Sequence, residues 1–146
     1  MGRTIETTLD IAAPVQRVWS ALTDFARIPD WSRFILAVDG EVKKGARLTV
    51  RVDDGGGPMT FRPELVVADA QQELRWVGTL GARVIFAGEH YFRMTALPDG
   101  GTRFTHGETF SGMLTPLLWK VLNTRTRRGF EDFNQALRAR AEAAQA

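Results

Sequence analysis

The feature of this sequence that most restricts its fold is a long amphipathic pattern near the C-terminal end. Thr115 followed by Pro116 predicts the start of a helix, with threonine as the N-cap and proline at the first helical position. Beyond it, inward-facing residues recur at spacings of three and four over more than five turns of about 3.6 residues each. This stripe consists of Trp119, Leu122, Thr126, Phe130, Phe133, Leu137 and Ala141. A helix of this length has to bury its stripe, so the preceding chain must supply the opposing surface.

The chain before this helix reads mainly as strands. Residues 4–11 alternate with a period of two, as expected for a half-buried strand, and one side of this strand carries Ile5, Thr7, Leu9 and Ile11. A short amphipathic helix from Pro14 to about Asp24 follows, and then an irregular helical connection over 25–34. Further strands are expected over 37–42, 48–52, 60–68, 73–80, 84–97 and 102–110, with a bulge at Ala87-Gly88.

The order of these elements predicts the fold class. Turn signals at 43–45 and 98–101 indicate hairpins, and hairpins make the sheet antiparallel. One face of such a sheet needs a cover, and the C-terminal helix is the only element long enough to provide it. We therefore predict an α+β fold in which a curved antiparallel sheet of roughly seven strands wraps around the long C-terminal helix.

Length and composition narrow the class of protein. The chain has 146 residues, 44% of them hydrophobic and 25% charged, which fits one globular domain over 1–146 and argues against disorder. The net charge is only +2, so we expect no nucleic-acid partner. There is no cysteine, which excludes disulfides, thiolate metal sites and cysteine nucleophiles. Because we find neither a signal-peptide core nor an apolar run of about 18 residues, we expect a cytoplasmic protein without a transmembrane segment. No cofactor is expected.

Four local segments, together with the element order, carry a resemblance to a known superfamily. They are Ala13-Pro14-Val15-Gln16-Arg17-Val18-Trp19, Leu22-Thr23-Asp24, Pro29-Asp30-Trp31 and Asp99-Gly100-Gly101-Thr102-Arg103-Phe104-Thr105-His106-Gly107-Glu108. Over essentially its whole length the chain resembles the START-like superfamily, also called the helix-grip or SRPBCC group, which includes polyketide cyclase/dehydrase-like proteins. The resemblance implies a cavity between sheet and terminal helix for lipids, polyketides or other apolar ligands. It implies no shared catalytic residues, because the superfamily includes enzymes and non-enzymes.

The register of the last hairpin identifies a group of polar candidates. A three-residue loop at 99–101 predicts that Met94 faces His106, that Phe92 faces Glu108 and that His90 faces Phe110, with the apolar residues of both strands on one side. Three titratable side chains then share the covered face with a set of aromatic residues. The titratable residues are His90, His106 and Glu108, and the aromatic residues are Phe86, Phe92, Phe104 and Phe110.

This polar trio is open to several interpretations. Burying a polar group without a partner costs about 2–7 kcal/mol, so the three side chains must be satisfied by something. They could pair with one another, or with Arg125, as a structural network. They could instead contact the polar end of a ligand, or act as acid and base. We expect no metal, because side chains two residues apart on a strand lie roughly 7 Å from each other.

Other candidates for the ligand site lie on the helix and on the aromatic positions. Between Leu122 and Phe130 the inward stripe offers only Thr126, flanked by Arg125 and Gly129. Small groups here either leave room for a ligand or allow close packing of the helix on the sheet. Large aromatic residues are candidates for the wall or mouth of the cavity, with core packing as the alternative. They are Trp31, Phe34 and Trp76.

Three functions remain open on the sequence alone. The leading hypothesis is a non-catalytic protein that binds an apolar small molecule, lipid-like or polyketide-like. The second is an enzyme of cyclase, dehydrase or isomerase type with His90 or His106 as base and Glu108 as acid. The third is a protein-interaction module that uses the surface around Met113, Leu117 and Trp119, through which a homodimer could also form.

Overall fold

A computed structural model describes residues 2–143 and shows strands, short helices and a long C-terminal helix. The N-terminal part consists of β1 (Arg3–Ile11), α1 (Val15–Thr23), a 3₁₀ turn (Phe25–Asp30), β2 (Ile35–Asp39), β3 (Thr49–Asp53) and β4 (Pro58–Phe61). The C-terminal part consists of β5 (Glu64–Asp69), β6 (Glu73–Thr79), β7 (Ala87–Ala96), β8 (Thr102–Ser111), α2 (Thr115–Val121), a π-helical segment (Leu122–Thr126) and α3 (Arg127–Ala143).

The strands form two antiparallel sheets. The larger sheet has the order β1-β8-β7-β6-β5, and the smaller has the order β2-β3-β4. Backbone hydrogen bonds join them, because Leu48 N donates to Pro63 O over 2.8 Å and Leu65 N donates to Ala46 O over 2.8 Å. The described residues therefore contain eight strands in a curved arrangement rather than the roughly seven expected from the sequence.

Proline accounts for the additional strand. The sequence predicts one strand over 60–68, but the chain is divided at Arg62-Pro63 into β4 and β5. Proline has no backbone N–H to donate to a ladder, so regular pairing stops there. As a result β4 pairs with β3 in the small sheet, whereas β5 pairs with β6 in the large one.

The strand predicted over 84–97 is shorter than expected. Residues 82–86 form a turn, in which Ile85 N and Phe86 N both donate to Ala82 O. Strand β7 pairs with β8 without interruption from Ala87 to Ala96, so the expected bulge at Ala87-Gly88 is wrong. Gly88 has a steric reason instead, because a Cβ at this position would collide with the carboxylate of Glu108.

The last hairpin has a three-residue loop, but it lies one residue earlier than predicted. Leu97 N donates to Gly101 O over 2.8 Å, so the loop is 98–100 and Gly100 takes the left-handed conformation at φ +89°. Gly101 is required for a different reason, since a Cβ there would lie 2.8 Å from Ile11 O on β1. His90 therefore faces Glu108 and Phe92 faces His106. Moving the loop by one residue changes the partner of each β7 residue by two positions on β8. Each side chain nevertheless stays on its predicted face, because strand side chains alternate with a period of two.

The C-terminal helix covers the large sheet as its stripe predicts. Phe130, Phe133, Leu137 and Ala141 are fully buried, and α3 contacts β1, β8 and α1. The predicted N-cap is wrong: Thr115 is the first helical residue, and Leu114 is the cap. No helix in residues 2–143 is long and apolar enough to cross a membrane.

Gly129 of α3 packs against the ring of Phe34, the residue that precedes β2. A Cβ at this position would overlap the ring of Phe34, so the structure supports the close-packing interpretation for this glycine. We expect Gly129→Ala to lower the free energy of unfolding by about 1–3 kcal/mol through overpacking. This loss would outweigh the gain of about 1 kcal/mol in helix propensity. Urea unfolding measures the difference.

The matched control is the neighbouring exposed residue of the same helix. Arg128→Ala removes an exposed side chain and should change the free energy of unfolding by less than about 0.5 kcal/mol. A Gly129→Ala variant that is more stable than the wild type would contradict the packing argument.

Candidate functional site

A cavity of about 320 Å³ lies between the small sheet, strands β6 to β8, and the helical segment 118–126. Its wall is mainly apolar, with contributions from Val50 and Phe61 of the small sheet and from Leu118 of α2. Met59 and Leu80 line the cavity while remaining 55% and 51% exposed, so they mark its mouth. The cavity is therefore open to solvent between β4, the end of β6 and the C-terminal helix.

The structure places eight of the thirteen predicted site residues in the wall of this cavity. They are Phe34, Trp76, Phe86, His90, Glu108, Phe110, Leu122 and Thr126. The wall residues of the small sheet were not predicted, because the alternating pattern of β2 to β4 does not reveal which sheet face the cavity occupies. The π-helical segment supplies both Leu122 and Thr126. Such wide turns occur frequently at functional sites.

Five predicted site residues lie elsewhere. Phe92 and Phe104 are fully buried in the core beneath α3, and His106 lies behind His90. Trp31 packs on Phe133 with ring centroids 5.1 Å apart. These four residues do not line the cavity for one reason. The residues of one sheet face are spread along the whole sheet, and α3 covers that face except at one end.

Arg125 is the fifth predicted site residue that does not line the cavity. Its side chain is exposed and lies over the tip of the β3–β4 loop, where a Cβ on Gly56 would be 2.7 Å from an Arg125 guanidinium nitrogen. It therefore neither faces the cavity nor pairs with the histidines. Thr126, the next residue, does line the cavity.

The polar trio forms part of a chain of close polar contacts that runs from the cavity into the core and is hydrogen-bonded from His90 inward. Glu108 Oε1 lies 3.3 Å from His90 Nδ1, and His90 Nε2 lies 2.7 Å from His106 Nε2. His106 Nδ1 lies 2.9 Å from Asn134 Oδ1 on α3. The amide Nδ2 of Asn134 donates to Thr7 Oγ1 over 2.8 Å, and Thr7 Oγ1 donates to the backbone oxygen of His106 over 3.1 Å. The structure thus pairs the trio internally and extends it to two further elements.

His106 is held as a neutral imidazole by its surroundings. It has no exposed surface, and its ring stacks on Phe130 at a centroid distance of 4.0 Å and an angle of 14°. Burial lowers the pKa of His106 well below its ordinary value. The charge of nearby His90 lowers this pKa further, and only the hydrogen bond to Asn134 acts in the opposite direction.

Sequence reasoning missed Asn134 and Thr7. A signal for Asn134 exists: it follows Phe130 by four residues and precedes Leu137 by three, so it lies on the buried face of the helix. A buried amide on an apolar stripe needs hydrogen-bond partners. Thr7 has no comparable signal, because a threonine on a strand face is common whether or not its hydroxyl has a side-chain partner.

No group of three His, Asp or Glu side chains within residues 2–143 is arranged to hold a metal ion. The cavity wall combines a mainly apolar surface with a polar corner formed by His90 and Glu108, and Asp54, Thr79 and Thr126 also line it. This arrangement can bind a mainly apolar molecule and orient it through one polar group.

These features define the class: an α+β helix-grip protein with a cavity between a curved antiparallel sheet and its C-terminal helix. The family model described as "Polyketide cyclase / dehydrase and lipid transport" matches residues 3–142, and the chain belongs to this family. A search of curated protein sequences found no match.

Solved structures share the fold at low sequence identity. The Zhui aromatase/cyclase from Streptomyces sp. R1128 is 19% identical, with a TM-score of 0.80 over 100% of this chain and 97% of that one. A START superfamily protein from Mycobacterium smegmatis is 18% identical, with a TM-score of 0.75 over 97% of this chain and 98% of that one. A point mutant of norcoclaurine synthase from Thalictrum flavum is 11% identical, with a TM-score of 0.75 over 100% and 98%.

The buried neutral state of His106 should make stability depend on pH. In the unfolded chain histidine has a pKa of about 6.5. Below this pH the unfolded state therefore binds a proton at His106, whereas the imidazole of the folded state stays neutral. The contribution of His106 is therefore complete above about pH 6.5 and is lost as the pH falls below it. We expect the free energy of unfolding of the wild type to fall from pH 7 to pH 5 more steeply than that of His106→Gln, by up to about 1.4 kcal/mol per pH unit.

Chemical denaturation at a series of pH values measures both slopes. The comparison uses slopes rather than absolute stabilities, because the substitution itself removes hydrogen bonds to His90 and Asn134. Equal slopes in the two proteins would show that the pKa of His106 is not lowered in the folded state.

Proposed function

We propose that this protein binds a small, mainly apolar molecule in the 320 Å³ cavity and orients it through the polar corner formed by His90 and Glu108. The observation that carries this proposal is the wall itself, a mainly apolar surface in which the imidazole of His90 and the carboxylate of Glu108 lie side by side. The other polar side chains of the wall are Asp54, Thr79 and Thr126. A purely structural network would be expected to lie wholly inside the core, as His106 does. In this proposal residues 1–146 form one ligand-binding domain that acts in the cytoplasm.

The size of the cavity supports a compact ligand. Ligand sites typically have volumes of about 300–1,000 Å³, so this cavity lies near the lower limit. Aromatic residues form much of the wall, with the rings of Phe86 and Phe110 stacked at a centroid distance of 5.9 Å. A molecule of two or three fused rings fits this shape better than an extended acyl chain. The polyketide-like class is therefore favoured over the lipid-like one.

A second candidate function is catalysis of a cyclase or dehydrase reaction. It is supported by the contact between His90 Nδ1 and Glu108 Oε1, since an acid–base pair at the wall of an apolar cavity can move a proton to or from a bound substrate. The aromatase/cyclase among the similar structures makes this reaction class a reasonable one to test. Mass spectrometry of a bound polyketide before and after incubation would detect loss of water, and Glu108→Gln should abolish it.

A third candidate is an interaction surface near the mouth of the cavity, including one that joins two copies of the chain. Met113 and Leu117 are 71% and 79% exposed, and Met113 N donates to the oxygen of Val84, itself 66% exposed. Trp119 is half-buried and packs on Phe110. Light scattering over a range of concentrations, compared with Leu117→Glu, would detect dimerisation.

Filling the cavity should abolish binding without unfolding the protein. Gly78 lies in β6 on the cavity wall, and a Cβ there would meet only Pro63 at 3.7 Å, an ordinary contact. Gly78→Phe therefore places a ring in the cavity. We expect this variant to bind the neutral fluorescent probe N-phenyl-1-naphthylamine at least about tenfold more weakly than the wild type, as measured by fluorescence titration.

Val42→Phe is the matched control, because Val42 is exposed and does not line the cavity. It should bind the probe as the wild type does. Native mass spectrometry of the wild type, followed by identification of any retained molecule, would name the ligand class directly. Equal probe affinity in Gly78→Phe and wild type would show that binding occurs outside this cavity.

A further inference from the structure

The hydrogen-bonded chain behind the cavity has a direction, and Thr7 determines it. A hydroxyl group has one hydrogen to donate, and Thr7 Oγ1 donates it to the backbone oxygen of His106. Its contact with Asn134 must therefore be one that it accepts, which requires the amide nitrogen of Asn134 to face Thr7. The amide oxygen then faces His106 Nδ1 at 2.9 Å.

The orientation of Asn134 determines the tautomer of His106. An amide oxygen only accepts, so His106 Nδ1 has to carry hydrogen. Because burial keeps this imidazole neutral, its other nitrogen, Nε2, has a lone pair and no hydrogen. His90 Nε2, at 2.7 Å, must therefore donate to His106 Nε2.

The last step places a proton at the cavity wall. His90 uses its Nε2 hydrogen on His106, so a neutral His90 has only a lone pair on Nδ1. His90 Nδ1 and Glu108 Oε1 lie only 3.3 Å apart, and a bare lone pair that close to an ionised carboxylate oxygen is electrostatically unfavourable. One additional proton is needed between these two atoms. The titratable groups that face His90 in the described structure are His106 and Glu108, and its other neighbours are the rings of Trp76, Phe92 and Phe130.

We infer that Thr7, Asn134 and His106 form a directional relay that holds a proton between His90 and Glu108, so that the polar corner of the cavity is a donor subsite for an acceptor oxygen of the ligand, such as a ketone carbonyl. This inference deepens the proposed function and rests on it for the ligand. Asn134 is the positioning residue, because it touches no ligand and acts through His106 and His90.

The geometry favours an acceptor on the ligand over a cation. The separation of 3.3 Å is longer than the roughly 2.7–2.9 Å of a charge-assisted hydrogen bond, so Glu108 does not saturate the donor at His90 Nδ1. A ligand oxygen can share that donor. A ligand ammonium group would instead meet a carboxylate whose charge the shared proton already balances.

Nuclear magnetic resonance of the imidazole nitrogens tests the relay on the ligand-free protein. The chain contains only two histidines, so an untagged protein gives two assignable rings. We expect hydrogen on Nδ1 and not on Nε2 of His106, and hydrogen on Nε2 of His90. Hydrogen on His106 Nε2 in the wild type would overturn the inference.

Asn134→Leu provides the sharpest comparison, because leucine has nearly the shape of asparagine without its acceptor. The favourable arrangement then reverses: His106 Nε2 donates to His90 Nε2, and His90 Nδ1 donates to an ionised Glu108. Both tautomers should change together. Asn123→Leu, on the exposed side of the helical region, is the control and should leave both rings as in the wild type. An unchanged His106 tautomer in Asn134→Leu would remove Asn134 from the role of positioning residue.

Three probes of matched shape test the ligand class. They are 2-acetylnaphthalene with a carbonyl, 2-isopropenylnaphthalene with a methylene in its place, and 1-(2-naphthyl)ethylamine with an ammonium group. Calorimetry should show that the wild type prefers the ketone to the alkene by about tenfold or more. Asn134→Leu should gain affinity for the amine, because no shared proton then balances the charge of Glu108. In the wild type, equal affinity for ketone and alkene, or a preference for the amine, would overturn the donor subsite. Absence of binding by all three would count against the proposed ligand-binding function, whereas the direction of the relay is decided by the nitrogen spectra.

Discussion

The hydrogen bond between His106 on β8 and Asn134 on α3 is the interaction on which the rest of the structure depends. It joins the sheet to its covering helix at a point where neither side chain has access to water. Leaving either group unpaired would cost about 1–3 kcal/mol, so the two surfaces are held in one relative position. The stacking of His106 on Phe130 is a second contact between β8 and α3. The hydrogen bond from Asn134 to Thr7 connects α3 to β1 as well.

This contact divides the interface between sheet and helix into two parts. On one side, Phe92, Phe104 and Leu137 are fully buried in the core. On the other side, α2 and the π-helical segment (Leu122–Thr126) border the cavity. His90 lies at the boundary, with one nitrogen toward the core and the other toward Glu108 at the wall. The site therefore lies at the edge of the core. For this reason the buried residues His106 and Asn134 hold its polar group His90 in position through hydrogen bonds.

Much of the fold and part of the site could be predicted from the sequence. The helical stripe, the antiparallel sheet and the sharing of one face by His90, His106 and Glu108 all follow from periodicity, which local sequence determines. Glycines 88, 101 and 129 were harder to interpret, because each is required by an approach of distant chain: the Glu108 carboxylate, the Ile11 carbonyl and the Phe34 ring. The division of one predicted strand at Pro63 could have been anticipated from the missing N–H.

The sequence by itself determined which residues face inward, because side-chain direction repeats every two residues in a strand and about every 3.6 in a helix. It also determined the family resemblance that the match over residues 3–142 establishes. Only the tertiary structure decided which inward residues meet the cavity and which are buried, and that Asn134 and Thr7 complete the polar chain. The physical reason is that hydrogen-bond direction and empty space arise between elements far apart in the chain, where periodicity carries no information.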